Sequence, residues 1–247
     1  MIKKFEIKSH DGPARIGKID TLLTPRLFKR NELNICPNES SAYNIDREIA
    51  KFNVKETLKN AKENVENTDI AVIQGSKYID LRIKCLKELE NIGYNGFIIA
   101  NGDALLTNPK ELVECIISLK KEAMKNSYFI FPFAELSLMP ILTYMGIDAF
   151  LTDSANYYSY LNVLQTPTKA YDLNKYPIYT KITRKELENK NIKNMEFVIK
   201  EIHAHIKNKT LRNLVEERSS TTPQNMSALK ILDKNHMDYL LEYTPLF

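Results

Sequence analysis

Cysteine is scarce and poorly placed for a structural role. Cys36, Cys85 and Cys115 are the only three in 247 residues. They lie far apart, so neither a disulfide framework nor a zinc knuckle is indicated. Cys85 and Cys115 fall on the apolar faces of predicted helices, where a reduced thiol behaves as a small buried hydrophobe. No apolar run is long enough to span a bilayer, and the opening Met1-Ile2-Lys3-Lys4-Phe5 lacks the pattern of a signal peptide. A cytoplasmic protein with no membrane partner is therefore expected. Excess charge of one sign is also small: the net charge of +4 tolerates a nucleic-acid partner without demanding one. What remains is an ordinary globular composition, 43% hydrophobic and 27% charged, with a chain long enough to bury a sizeable core.

Against that plain background, four short apolar segments stand out, each closed by polar residues and followed by a helical pattern. They are Ile70–Ile73, Phe97–Ala100, Tyr128–Phe131 and Asp148–Leu151. Their spacing is that of consecutive βα units in a parallel sheet. In such folds ligands collect at the C-terminal ends of the strands. Those ends read Gln74-Gly75-Ser76, Asn101-Gly102-Asp103, Pro132-Phe133-Ala134-Glu135 and Thr152-Asp153-Ser154. Polar residues at all four ends point to a site or to the remains of one.

Elsewhere, residues 2–8 and 14–19 read as a hairpin about His10-Asp11-Gly12-Pro13, and 31–45 as a loop. Helices are predicted from Asp46 to before Asp69, over 78–92 with Gly93 ending it, and over 109–126 behind Asn108-Pro109. Residues 161–182 have little periodicity. Long helices follow over 194–218 and 223–242. Four strands, with one or two more before Ile70, cannot close an eight-stranded barrel. The expected fold is α/β, an incomplete or shortened (β/α) barrel over 1–160 with a mostly helical region over 161–247.

Three segments stand in order along the chain: Phe5-Glu6-Ile7 through His10-Asp11-Gly12-Pro13 to Thr24-Pro25, then Ile73-Gln74-Gly75 with Asp80-Leu81-Arg82, then Gly146-Ile147-Asp148-Ala149-Phe150. Together they resemble archaeal tRNA-guanine transglycosylases and their paralogue, archaeosine synthase. Leu211–Arg218, Leu229–Asp233 and Tyr243-Thr244-Pro245 are similar to the end of the transglycosylase-like domain of archaeosine synthase. The resemblance implies a zinc-bearing barrel acting on a guanine-type base in tRNA, with one aspartate as nucleophile and another as base. It also implies that Gln74 and Gly75, with Gly102 and Asp103, face the base. A glutamine amide, with an acceptor and two donors in one plane, suits a purine edge.

Carried over residue by residue, the catalytic part of the resemblance is poor. The nucleophile position falls on Leu151, and Asp153 takes that role only if the register shifts by two. Nothing before Ile70 matches the family's Asp-Ser-Gly-Gly base motif. The stretch Tyr176–Lys181, where the resemblance places zinc-binding cysteines, contains none, and His203 and His205 at i, i+2 face different ways. No metal and no cofactor is expected, and whether the chain is an enzyme is left open. The expectation is a degenerate archaeosine-type tRNA-modification protein, a split or shortened archaeosine synthase unit. Its partners would be tRNA, a second tRNA-modification polypeptide supplying the Pro-Cys…Lys-Pro-Tyr type group absent here, and a homo- or hetero-oligomeric mate. Apolar anchors for assembly are expected from Phe131, Phe133, Leu136, Leu138 and Met139. RNA contacts are expected from Lys200, His203, Lys207, Lys209 and Arg212, with Tyr157, Tyr158 and Tyr160 for stacking. Two alternatives stand beside this reading. One is a non-catalytic scaffold or regulatory subunit of a transglycosylase. The other is an unrelated small-molecule barrel enzyme holding a cation on Asp103, Glu135 and Asp153.

Overall fold

A computed structural model of the chain describes residues 5–179 and 181–242. Residues 2–4 of the expected first strand, Thr180 and Tyr243-Thr244-Pro245 lie outside the described residues. The chain opens with a small antiparallel sheet of β1 (Phe5–Asp11), β2 (Ala14–Ile19) and β3 (Leu22–Thr24), then β4 (Arg26–Phe28). Helix α1 (Arg47–Asn64) leads into β5 (Ile70–Ile73), α2 (Ile79–Ile92) and β6 (Gly96–Ile99). Next come α3 (Gly102–Leu106), α4 (Pro109–Glu122), β7 (Tyr128–Phe131), α5 (Met139–Tyr144), β8 (Ala149–Leu151) and α6 (Asp153–Tyr160). A hairpin of β9 (Val163–Gln165) and β10 (Ala170–Asp172) occupies the stretch expected to be irregular. The chain continues through α7 (Arg184–Asn208), α8 (Leu211–Ser219), α9 (Pro223–Asn235) and α10 (Met237–Glu242).

The four expected strands pair in parallel, and β4 adds a fifth, giving the order β4-β8-β7-β6-β5. Among the described residues the sheet is open and does not close into a barrel. Because side chains alternate along a strand, each strand feeds both faces. One face sends Ile73, Phe97, Phe129, Phe131 and Phe150 under the helices, against Leu86, Leu89, Ile116 and Met139. The other collects Ile70, Val72, Ile98, Tyr128, Ile130 and Leu151 with Phe5, Ile19 and Phe28. Phe5 lies near Tyr128 at 5.5 Å between centroids, so the antiparallel hairpin packs against the N-terminal end of the parallel sheet. A buried ion pair ties it there. Arg15 Nε donates to Asp148 Oδ1 at 2.7 Å, and its Nη2 donates to Oδ2 at 2.9 Å.

The five-stranded sheet has two edge strands, β4 and β5, and one short segment spans them. After β4 the chain makes a single 3-10 turn at Arg30–Glu32, lays Leu33 and Ile35 on the inner apolar face, and reaches β5. There Ile35 bridges Ile70 in parallel, and Cys36 N donates to Ile70 O at 2.8 Å. An exposed edge is a liability for aggregation. Here the outer edge of β5 is already paired by its own chain.

Two helical expectations need correction. The helix expected over 194–218 starts ten residues earlier, behind a Thr183 N-cap with Glu186 completing a capping box, and it breaks at Lys209 in the left-handed conformation. His205 Nδ1 lies 2.8 Å from Thr210 Oγ1 across that break. The terminal helix breaks at His236. The assembly anchors are also corrected. Phe131, Leu136, Leu138 and Met139 are buried inside the chain, because α7, α8 and α9 pack over the 128–145 segment and share its core.

Candidate functional site

The carboxyl ends of β5 to β8 open into a cleft of about 1090 Å³. On the β5–β6 side its wall is tightly organised. Arg82, fully buried on α2, donates from Nε to Ser76 O at 2.7 Å and from Nη1 to Ala100 O at 3.1 Å. Its Nη2 reaches Asn101 Oδ1 at 3.2 Å, so one guanidinium staples two strand ends together. Asn101 sits at φ 60, a left-handed conformation that asparagine tolerates better than most side chains. From there Asn101 Nδ2 donates to Ser41 O at 2.7 Å, fixing the loop that forms the cleft's roof.

Gln74 lies in this wall, 2% exposed. Its Nε2 donates to Asn38 Oδ1 at 2.8 Å, which fixes the amide plane. Its Oε1 is buried and accepts no hydrogen bond from any described residue. An unpaired buried carbonyl oxygen costs about 1–3 kcal/mol. Gly75, at φ +146, stands behind Gln74. A side chain there would meet Arg82 Cγ and N at 2.7 Å, so its glycine is demanded by α2 rather than by the cleft. Gly102 lines the cleft, and a Cβ on it would meet Pro132 Cγ at 2.8 Å. Asp103 lines the same wall with its side chain exposed.

The β7–β8 side is built differently. Leu151 is fully buried on the inner face, and Asp153, two residues on, is the first residue of α6 and borders the cleft. Its Oδ2 pairs with Arg30 at 2.7 Å, with the two side chains 57% and 33% exposed. Tyr158 donates to Glu135 Oε1 at 2.6 Å, and burial, reinforced by that carboxylate, raises the phenol well above its usual range. Phe133 packs against Tyr157 and Tyr158 at 5.4 and 5.9 Å, leaving Tyr157 half exposed at the rim.

The structure therefore gathers Gln74, Gly102, Asp103 and Asp153 about one cleft and sets Gly75 behind it. Sequence reasoning missed the organising roles of Arg82, Asn101, Asn38 and Arg30. Arg82 carried a usable signal, an arginine on a helix face that is apolar apart from it and Glu90. The cation reading of Asp103, Glu135 and Asp153 is corrected. Arg30 and Tyr158 already engage two of the three, and among the described residues no group of three or more His, Cys, Asp or Glu can hold a metal.

The zinc implied by the resemblance does not fit the residues present. All three cysteines are buried apart from one another. His203, expected at the surface, is half buried with Nε2 2.7 Å from Pro25 O. Asn191 holds the β9–β10 hairpin to α7. Its Oδ1 accepts from Gln165 N at 2.8 Å and its Nδ2 donates to Val163 O at 3.0 Å, beside a cluster of Leu164, Leu173 and Leu187. The expected basic surface is reduced likewise, since Arg212 is clamped by Asp233 at 2.6 and 2.7 Å. Among the described residues no helix is long and apolar enough to cross a membrane.

Comparison with known proteins agrees with this geometry. A family model described as TGT, queuine tRNA-ribosyltransferase, matches residues 32–181, the segment that builds the cleft wall. The tRNA-guanine(15) transglycosylase of Methanocaldococcus jannaschii is 27% identical over 236 residues, covering 81% of this chain and 36% of that protein. The archaeosine synthase of the same organism is 26% identical over 204 residues, covering 76% and 33% respectively. The Pyrococcus abyssi tRNA-guanine(15) transglycosylase is 30% identical over 227 residues, covering 81% and 38%. The chain thus spans about a third of the length of the curated relatives it matches. Because the family model covers more than half of its residues and all of its βα units, the chain belongs to the queuine tRNA-ribosyltransferase family.

Proposed function

We propose that this chain is a base-recognising member of the archaeosine-type tRNA-modification machinery, in which the cleft binds a deazaguanine base and glycosyl transfer has been lost. The observation that carries the reading is Gln74, whose amide is oriented by Asn38 and whose buried Oε1 awaits a donor. A guanine-type base presents N–H donors on its Watson–Crick edge, which such an oxygen would accept. Gly102 lets the opposite wall approach closely, and Asp103 offers an acceptor at the mouth. Tyr157 would stack on an exposed base.

Bond breaking is a separate matter. A retaining transfer needs a carboxylate poised at the anomeric carbon. Leu151 stands at the position implied for that group, and Asp153 is held by Arg30. The groups for the later nitrile step would come from another domain or polypeptide. The same facts support a non-catalytic subunit that positions tRNA for an active transglycosylase.

Calorimetric titration with free 7-deazaguanine bases tests the recognition reading. Binding that falls at least tenfold in Gln74→Leu supports it, and equal affinity in the two proteins overturns it. Incubation with tRNA tests the lost transfer: a covalent RNA adduct that disappears in Asp153→Ala would restore Asp153 as a nucleophile.

A further inference from the structure

Outside the cleft, the strongest unexplained feature is a groove of about 620 Å³ between α1 and α2. Its floor is apolar, made by Val54, Leu58 and Leu81. Its walls are lysine: Lys51, Lys55, Lys59 and Lys62 from α1 and Lys84 from α2, with Glu63 as the lone acid among its lining residues. The groove thus holds a net charge of +4, equal to that of the whole chain, so the rest of the molecule sums to zero. Only Lys51 is neutralised locally, by Glu48 at 2.6 Å. The other four are exposed and pair with no acid among the described residues.

The pattern is regular as well as basic. Residues three and four apart share a helix face, and successive lysines of α1 stand about 5–6 Å apart along the axis. Phe52, 56% exposed, sits three residues before Lys55 on the edge of the same stripe. Spaced point charges beside an exposed aromatic ring fit a phosphodiester strand with a base to stack. The position fits too. Asn38, Ser40 and Ser41 line the cleft, and the chain runs from them directly into α1, whose first turn is tied to α2 by the Arg47–Asp80 ion pair.

We propose that the α1–α2 groove holds the phosphate backbone of an RNA strand at the outer edge of the cleft. The proposal rests on the RNA reading above and extends it to a second surface. It predicts that affinity for RNA and affinity for a free base reside in different parts of the molecule.

Fluorescence anisotropy with an unmodified tRNA transcript, at stepped salt concentrations, tests this. The groove variant is K55E/K59E/K62E. Its control is K193E/K230E/K234E, which makes the same change in net charge elsewhere; all six lysines are exposed, so both variants keep the fold. The groove variant is expected to weaken binding at least tenfold. It should also flatten the slope of log affinity against log salt by about 2–3, from three lost phosphate contacts. The control should change affinity less than twofold. Equal losses in the two variants, or none in the groove variant, overturn the proposal, as does a groove-dependent affinity for polyglutamate with unchanged RNA binding. Titration with a free deazaguanine base separates the two readings. Groove-dependent tRNA binding without base binding removes the cleft reading alone, and base binding without groove dependence removes the groove alone.

Discussion

The two sides of the cleft are made of similar residue types and behave as different materials. At β5–β6 Gln74, Ser76 and Arg82 are buried and interlocked through Arg82 and Asn101, with Gln74 Oε1 accepting from no described residue and Asp103 exposed beside them. At β7–β8 the carboxylates are more exposed, and each is engaged by one neighbour, Asp153 by Arg30 and Glu135 by Tyr158. A buried network holds geometry at the cost of an unpaired group, which suits recognition. An exposed pair holds little. On the proposed reading, the rigid side is the one suited to reading a base, and the side held by exposed pairs is the one that lacks a poised carboxylate.

The largest effect should come from breaking the interlocked side. Arg82→Met removes three hydrogen bonds from a buried cation and strands two strand-end carbonyls, so unfolding in urea should show a loss of about 3 kcal/mol or more. A loss under 1 kcal/mol would mean that Arg82 does not staple the wall. Gln74→Leu sharpens the contrast, because it deletes a buried unpaired oxygen together with the Nε2 donor to Asn38. The gain and the loss offset, so stability should stay within about 1 kcal/mol of the parent while base affinity falls, a separation of fold from function visible in one protein. On the other side, Asp153→Ala removes a partly exposed pair and should shift stability by less than about 1 kcal/mol. A larger shift would make the two sides alike.

The smallest effect is a pH dependence outside the cleft. Burial lowers the His203 pKa below its usual 6.5, outweighing the carbonyl of Pro25, which favours the charged ring. The unfolded chain then binds the proton more readily than the folded one, so stability rises with pH. The contribution is present above pH of about 6.5 and is lost as pH falls below it toward the folded value. In His203→Gln the urea midpoint should lose this slope between pH 7 and pH 5.

Much of this was legible because strand and helix periods are local. Ile70–Ile73 and Tyr128–Phe131 matched their strands to the residue, and Asn108-Pro109 opened α4 as its capping chemistry requires. The cleft was legible as a row of polar strand ends. What escaped was decided by distant partners. β4 is three residues long and is a strand only because β8 lies beside it. The break at Lys209 rests on a left-handed residue that is neither glycine nor asparagine, which no turn rule would select. The burial of Phe131 and Met139 depends on α7–α9, far along the chain. Arg82 could be seen as odd in the sequence, but its three acceptors could not.

The pairing of β4 with β8, Arg26 opposite Ala149, has a consequence for the order of events when the chain folds. Neighbouring strands β5, β6 and β7 meet across connections of one or two helices, whereas β4 must wait for a partner more than a hundred residues downstream. Contacts of such separation form late, since the closure entropy must be met before they are rewarded. The hairpin and β4 therefore leave the ribosome before β5–β8 and dock after them. Pulsed hydrogen exchange during refolding should find the amides of β5–β7 protected before those of Leu27 and Phe28; simultaneous protection would show instead that the whole parallel sheet forms in one step.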